Sequence, residues 1–209
     1  MRTAIAGSET PVTTLTIAPA DGNGPTQTWT DLASITKQLQ AIGVEFEHWQ
    51  ADRKLADDAD QETVLEAYRQ SVSALNARYG FRSIDVVGLT PDHPDAATLR
   101  SKFLAEHTHA DFEVRFFVDG SGLFYLHVGE QIFMVLCERG DLISVPANTT
   151  HWFDMGTRPS FKCIRFFTTF SFLLLFLLFR RIVAYDFSRR TRTFQLDDLL
   201  YRLDRRFDF

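Results

Sequence analysis

The 209-residue chain is poor in cysteine, with two, and holds only three tryptophans, three methionines and seven prolines. Two cysteines exclude a disulfide-dense secreted scaffold, in which cross-links replace a core. Neither lies in a C-x-x-C spacing, which disfavours a thiolate zinc site. There is no basic excess either: Lys+Arg number 22 against 27 Asp+Glu, a net charge of -5. That balance argues against a dedicated nucleic-acid binder, whose phosphate contacts need a concentrated basic face. The N-terminal MRTAIAGSETPVTTLTI has no continuous apolar segment of the length a secretory signal requires. The longest uncharged run, FFTTFSFLLLFLLF at 166–179, would rise only about 20 Å as a helix, short of a hydrocarbon core of roughly 30 Å. It reads as a buried strand or helix, or as an interfacial or partner-covered segment, rather than as a membrane span. A nucleophilic-serine motif, a phosphate-binding glycine loop and a nucleotide fingerprint are also missing. The expectation is a cytoplasmic protein with no nucleic-acid partner and no membrane partner.

What is present is enough apolar content, 45%, for one domain with a sizeable core. The composition is uneven. Residues 180–209 hold eight Arg and five Asp, and ten of the 20 Phe follow Arg165. The N-terminal half alternates strand and helix signals. Thr13–Ile17 reads as a strand, and the turn-rich 18–28 leads to a helix with Thr30 or Asp31 as its cap. Leu32, Ile35, Leu39 and Ile42 recur along that helix at helical spacing, and Gly43 stops it. VEFEHW alternates as a strand. Asp60 opens one long helical pattern through Val64, Leu65, Tyr68, Val72, Leu75 and Tyr79 to Gly80, and a strand is expected at Ile84–Val87. A short helix is expected from Asp95 to about Ala105.

From there the period shortens to strands at Phe112–Val118, Gly122–Val128, Gln131–Cys137, Leu142–Val145 and Trp152–Met155. Asp119-Gly120, Gly129-Glu130 and Gly140-Asp141 read as tight turns between them. Short strands in this density predict a sandwich or a closed barrel with the helices packed outside.

The strongest chemical signal is HTHADFE. His107 and His109 are two residues apart, and Glu113 is four beyond His109, so an extended strand would turn all three to one wall. His151 follows 38 residues after Glu113, in GDLISVPANTTH. Three imidazoles and a carboxylate suit Fe(II), Ni(II), Co(II), Mn(II) or Zn(II) better than Ca(II) or Mg(II). His48, His93 and His127, each without such company, read as ordinary structural side chains. Arg115 shares the strand face of Glu113, and it reads equally as an ion-pair partner or as a cation for a substrate oxyanion. Arg165, a charge among the apolar residues of FKCIRFF, demands a partner.

HTHADFEVRFFVDGSG resembles the first metal-binding motif of the cupin superfamily, H-x-H-x3-E-x6-G, with Gly120 in place, and GDLISVPANTTH resembles the second. More specifically, FEHWQADRKL, KFLAEHTHADFEVRFFVDGSGLFYLHVG and VLCERGDLISVPANTTHWFDMG are similar to bacterial-type acireductone dioxygenases, over roughly residues 28–167. The resemblance implies a mainly β fold, a cupin (double-stranded β-helix, or jelly-roll) barrel with N-terminal helices packed outside. The domain would be residues 1–167, with its β core at about 105–167. It implies a metal-dependent dioxygenase of methionine salvage, monomeric and acting on a small-molecule acireductone with O2 as co-substrate. One Fe(II) or Ni(II) per chain would be held by His107, His109, Glu113 and His151. Arg115 and Arg165 would be catalytic by stabilising the substrate anion, and Phe116 and Phe153 would bind its methylthioalkyl tail. The bland reading of both phenylalanines is core packing. Another metal-dependent cupin oxygenase or isomerase, or a non-catalytic cupin, would carry the same ligand motif. Residues 168–209 depart from the family. They form a Phe/Leu- and Arg-rich tail without the Pro/Gly turn and the Trp with which family members close their pocket.

Overall fold

The computed structural model describes residues 12–168, so the expected tail beyond Thr168 and nearly all of the apolar run at 166–179 lie outside the described residues. In chain order the elements are β1 (Thr14–Pro19), β2 (Gln27–Trp29), α1 (Leu32–Gln40), β3 (Glu45–His48), α2 (Gln61–Ala67), α3 (Arg69–Tyr79), β4 (Ser83–Leu89), α4 (Ala96–Phe103), β5 (Glu113–Val128), β6 (Gln131–Glu138), β7 (Asp141–Val145), β8 (Thr150–Asp154) and β9 (Phe161–Phe167). None of these helices is long and apolar enough to cross a membrane.

The helix starts follow from side-chain capping. The Asp31 carboxylate accepts the Ser34 N–H at 2.8 Å, and Asp60 accepts the Thr63 N–H at 2.9 Å. On α1, Ile35 and Leu39 are fully buried, whereas Leu32, expected on the same face, is exposed in the first turn. The single helix expected from Asp60 to Gly80 is two, α2 and α3. It breaks at Tyr68, whose φ of -111° and ψ of 21° leave the helical region. Tyr68 is buried there, with its ring edge-on to Phe116. The i to i−4 bonds continue through this residue, Tyr68 N–H to Val64 and Val72 N–H to Tyr68, so the break is a local kink.

All strand pairings are antiparallel, in two layers that share β5. Glu113–Phe116 of β5 pairs with β7, and Val114–Gly120 pairs with β9, which in turn pairs with β4. Ser121–Val128 of the same strand pairs with β6, and Leu123–His127 with β8. The hairpin turn expected at Asp119-Gly120 is therefore a bend within one 16-residue strand. The β5–β9 register shifts between Phe117 and Asp119, leaving Val118 bulged, and such a bulge bends and twists its strand. Gly120 sits at φ +65°, and a Cβ there would lie 1.9 Å from the Ser160 carbonyl oxygen. Strands β2 and β9 are additions to the sequence reading, and every residue of β9 is buried.

Alternation on β5 divides the core. Phe117, Phe124 and Leu126 join Leu15, Phe133, Val135, Ile143 and Cys163 in a cluster drawn from both layers and closed by Ile35 and Leu39 of α1. Val114, Phe116 and Val118 point the other way, to Val64, Tyr68 and Leu75 of the α2–α3 region. Each fully buried phenylalanine contributes about 1.5–3 kcal/mol of transfer free energy. Helix α4 is tied to β8 by Arg100, whose Nε and Nη2 donate to the two Asp154 carboxylate oxygens at 2.7 and 2.8 Å.

Two consequences are measurable. Gly120→Ala must move the β9 approach or leave its left-handed backbone, so it should cost roughly 2–4 kcal/mol, read as a lower urea midpoint. The Arg100 hydrogen bonds hold the Asp154 carboxyl below its usual range, against a smaller opposing effect of burial. A depressed folded-state pKa contributes stability above the unfolded value near 4, and that stability is lost as pH falls through the folded value. Asp154→Asn should therefore lower the melting temperature at pH 7 and converge with the parent protein in acid.

Candidate metal centre

Residues 107–112 do not form the strand that alternation suggested. They form a loop laid along the start of β8, and β5 begins only at Glu113. Reciprocal backbone bonds hold the loop: the His107 N–H donates to the His151 carbonyl at 3.1 Å, and the His151 N–H returns to His107 at 2.9 Å. The Asn148 N–H donates to the His109 carbonyl at 2.8 Å, and Asn148 takes a left-handed φ of 62°. Chain reversal, rather than a shared strand face, thus brings the three histidines together.

The imidazoles crowd closely. Ring centroids are 4.5 Å apart for His107 and His151, 4.9 Å for His109 and His151, and 6.0 Å for His107 and His109. One ring nitrogen from each lies within 4.8 Å of the others. Every Nδ1 faces a main-chain carbonyl: His107 to Ala105 at 2.8 Å, His109 to Asp111 at 2.7 Å, and His151 to Thr149 at 2.7 Å. A carbonyl only accepts, so each Nδ1 carries the proton and each ring is turned with Nε2 toward the cluster. Bonds of this kind orient metal-ligating histidines. Glu113 Oε2 lies 3.0 Å from His109 Nε2 and 3.9 Å from His151 Nε2. His151 is buried, and its Nε2 has no hydrogen-bond partner. A buried lone pair beside two further imidazoles and a carboxylate is the donor set a divalent transition metal takes, so the residues fit such an ion.

The electrostatics are set by a row of charges across the sheet. Arg115 of β5 lies opposite Arg165 of β9, which lies opposite Asp85 of β4. Arg115 pairs with Glu113, while Arg165 makes a two-pronged bond to Asp85, Nε to Oδ1 at 2.7 Å and Nη2 to Oδ2. Each cation thus has its own carboxylate, which permits two arginines to sit side by side. Burial would raise the Glu113 carboxyl, but Arg115 and His109 outweigh it and hold it well below the usual carboxylate range. The bond to Glu113 raises the pKa of His109, whereas desolvation lowers that of the more deeply placed His151.

Of the other expected residues, Phe153 faces the interior, packed at tilted and edge-on angles among Phe117, Phe124 and Phe161, with its ring over Gly122. Phe116 is not brought to the cluster. It lies on the opposite face of β5 from Glu113 and Arg115, against Trp49 and Tyr68. Its position between Arg115 and Phe117 carried that information, because strand neighbours alternate. His48, His93 and His127 stand elsewhere. His48 faces Asp141 at 2.9 Å, His127 faces Glu106 at 2.7 Å, and His93 Nδ1 accepts the Asp95 N–H at 3.2 Å. Sequence reasoning missed Asp85 and Asp111. The signal for Asp85 was a lone acid in the otherwise apolar strand SIDVVGL, the counterpart of the lone Arg165.

Comparison with known proteins agrees with this geometry. The model of the ARD/ARD' family matches residues 19–171. The chain belongs to the ARD/ARD' family. An acireductone dioxygenase from Methylococcus capsulatus is 56% identical over 155 residues, covering 74% of this chain and 83% of that protein. One from Aquifex aeolicus is 53% identical over 140 residues, 67% of this chain and 76% of the relative. Among solved structures, an acireductone dioxygenase from Bacillus anthracis with a cadmium ion in its active centre superposes with a TM-score of 0.66. It is 29% identical, covering 76% of this chain and 94% of that one. The mainly β cupin barrel expected for ARD/ARD' members is the fold observed, and the histidine group fits the metal dependence of the family.

The buried Arg165–Asp85 pair gives this site a stability signature. Asp85→Ala leaves a desolvated guanidinium unpaired and should cost about 3–5 kcal/mol in chemical denaturation. Asp85→Ala combined with Arg165→Met should recover a large part of that loss.

Proposed function

We propose that this chain is an acireductone dioxygenase, a metal-dependent oxidoreductase of methionine salvage that cleaves 1,2-dihydroxy-3-keto-5-methylthiopentene with O2. The observation that carries the reading is the convergence of three histidines beside Glu113, each with Nδ1 tied to the main chain, in a barrel of this family. His107, His109, Glu113 and His151 are the proposed ligands of one Fe(II) or Ni(II). When bound, such an ion supplies positive charge that fixes and stabilises a deprotonated enediol beside O2.

The protein's own part is positioning and charge. The carbonyls of Ala105, Asp111 and Thr149 keep the imidazole protons on Nδ1, so the ring lone pairs remain available. Arg115 and Arg165 supply fixed cations for the substrate anion, and Asp85 holds Arg165 in one orientation. Phe153, with its aromatic neighbours, provides an apolar wall for the methylthioalkyl tail and excludes water. The expected products are 4-methylthio-2-oxobutanoate and formate with Fe(II), or methylthiobutyrate, formate and carbon monoxide with Ni(II). The working form is proposed as a cytoplasmic monomer.

Protein prepared without oxygen and loaded separately with each metal tests the reading. It should bind one equivalent, leave the acireductone intact anaerobically and consume it once O2 is admitted. His109→Ala should reduce turnover by at least about 100-fold, together with metal content. Stoichiometric metal with no O2-dependent substrate loss would defeat the activity, and unchanged metal in His109→Ala would defeat the ligand role.

A further inference from the structure

We propose that Asp111 is a positioning residue that holds His109 in its metal-ligating orientation by clasping Thr168 at the end of β9. The inference rests on His109 being a ligand, as proposed above. Asp111 lies between the two ligand candidates His109 and Glu113 and is buried, with 6% of its surface exposed. Its main chain and side chain act in opposite directions. The carbonyl accepts the His109 Nδ1–H at 2.7 Å, which fixes both the tautomer and the plane of that ring. The carboxylate accepts the Phe112 N–H at 2.9 Å, the Thr168 N–H at 2.9 Å and the Thr168 hydroxyl.

The geometry makes Asp111 a hinge pin for the ligand loop. The first half of the loop is tied to β8 through the His107–His151 backbone bridge. The second half is tied to β9 through Asp111, because Thr168 follows directly on the last residue of that strand. β9 also carries Arg165, so the clasp sets the acceptor of His109 and the guanidinium of Arg165 from one rigid strand. A buried carboxylate with three donors is strongly localised. The carbonyl belongs to the same residue, so releasing the carboxylate lets the acceptor of His109 drift. Outer contacts of this kind change metal affinity by about 10–100-fold.

The experiment compares Asp111→Asn, Thr168→Val and Thr168→Ser in the full-length chain. It measures Ni(II) affinity by chelator competition, the exchangeable His109 ring N–H resonance in Co(II)-loaded protein, and the melting temperature of the metal-free protein. Asp111→Asn should weaken affinity about 10–100-fold and shift the ring N–H resonance. Thr168→Val should act in the same direction to a smaller extent, and Thr168→Ser, which keeps the hydroxyl, should match the parent. If Asp111→Asn does not fold, the Thr168 pair decides the matter. Affinity and resonance unchanged in Thr168→Val and in any folded Asp111→Asn would overturn the proposal, as would an equal loss in Thr168→Val and Thr168→Ser. A parent chain that binds no metal would overturn the ligand set itself, and the clasp's role with it.

Discussion

The bend in β5 is the constraint on which the rest of the structure depends. One strand serves two sheet layers because Val118 is bulged and Gly120 tolerates a left-handed backbone against the Ser160 carbonyl. Before the bend, β5 presents Glu113 and Arg115 to the interior between β7 and β9. Beyond it, the strand pairs with β8, which carries His151. A straight β5 could not bring Glu113 and His151 within 3.9 Å of each other while keeping both strands in register. The barrel and the ligand cluster are consequences of the same local irregularity.

Around that frame the site is built from mutually dependent polar groups that run from the buried His151 to the exposed His107. Each cation is matched, Arg115 by Glu113 and Arg165 by Asp85, and each histidine is oriented by a carbonyl. Low dielectric strengthens these contacts and makes each unmatched group costly. His151 Nε2 is buried without a hydrogen-bond partner, next to the other two imidazoles. A buried acceptor among imidazoles and a carboxylate fits metal coordination, in keeping with membership of the ARD/ARD' family.

Legibility in the sequence varied with the range of the controlling interaction. Asp31, Asp60 and Gly80 act within four residues, and the helix ends they predict are present. The helix break at Tyr68 was hidden, because Tyr68 fits the helical spacing on both sides of it. The Asp119-Gly120 dipeptide carries the composition of a hairpin turn. The long β5 register on either side and the crowding of Ser160 convert it to a bend. Phe116 was expected at the substrate tail by family resemblance, with core packing as its alternative, and strand alternation sends it to the helical layer.

By itself, the sequence determined which groups could do the chemistry. Three histidines and a glutamate at the spacing of HTHADFE and the later His151 specify the donor types, and Arg115 and Arg165 are the charges proposed for the substrate anion. Side-chain identity is covalent and needs no fold to be read. Only the tertiary structure decided which faces those groups share. It curled residues 107–112 into a loop instead of a strand, paired Arg165 with Asp85 across β4 and β9, and set Asp111 against Thr168. Those outcomes rest on contacts between segments far apart in the chain, where backbone pairing and burial override local pattern.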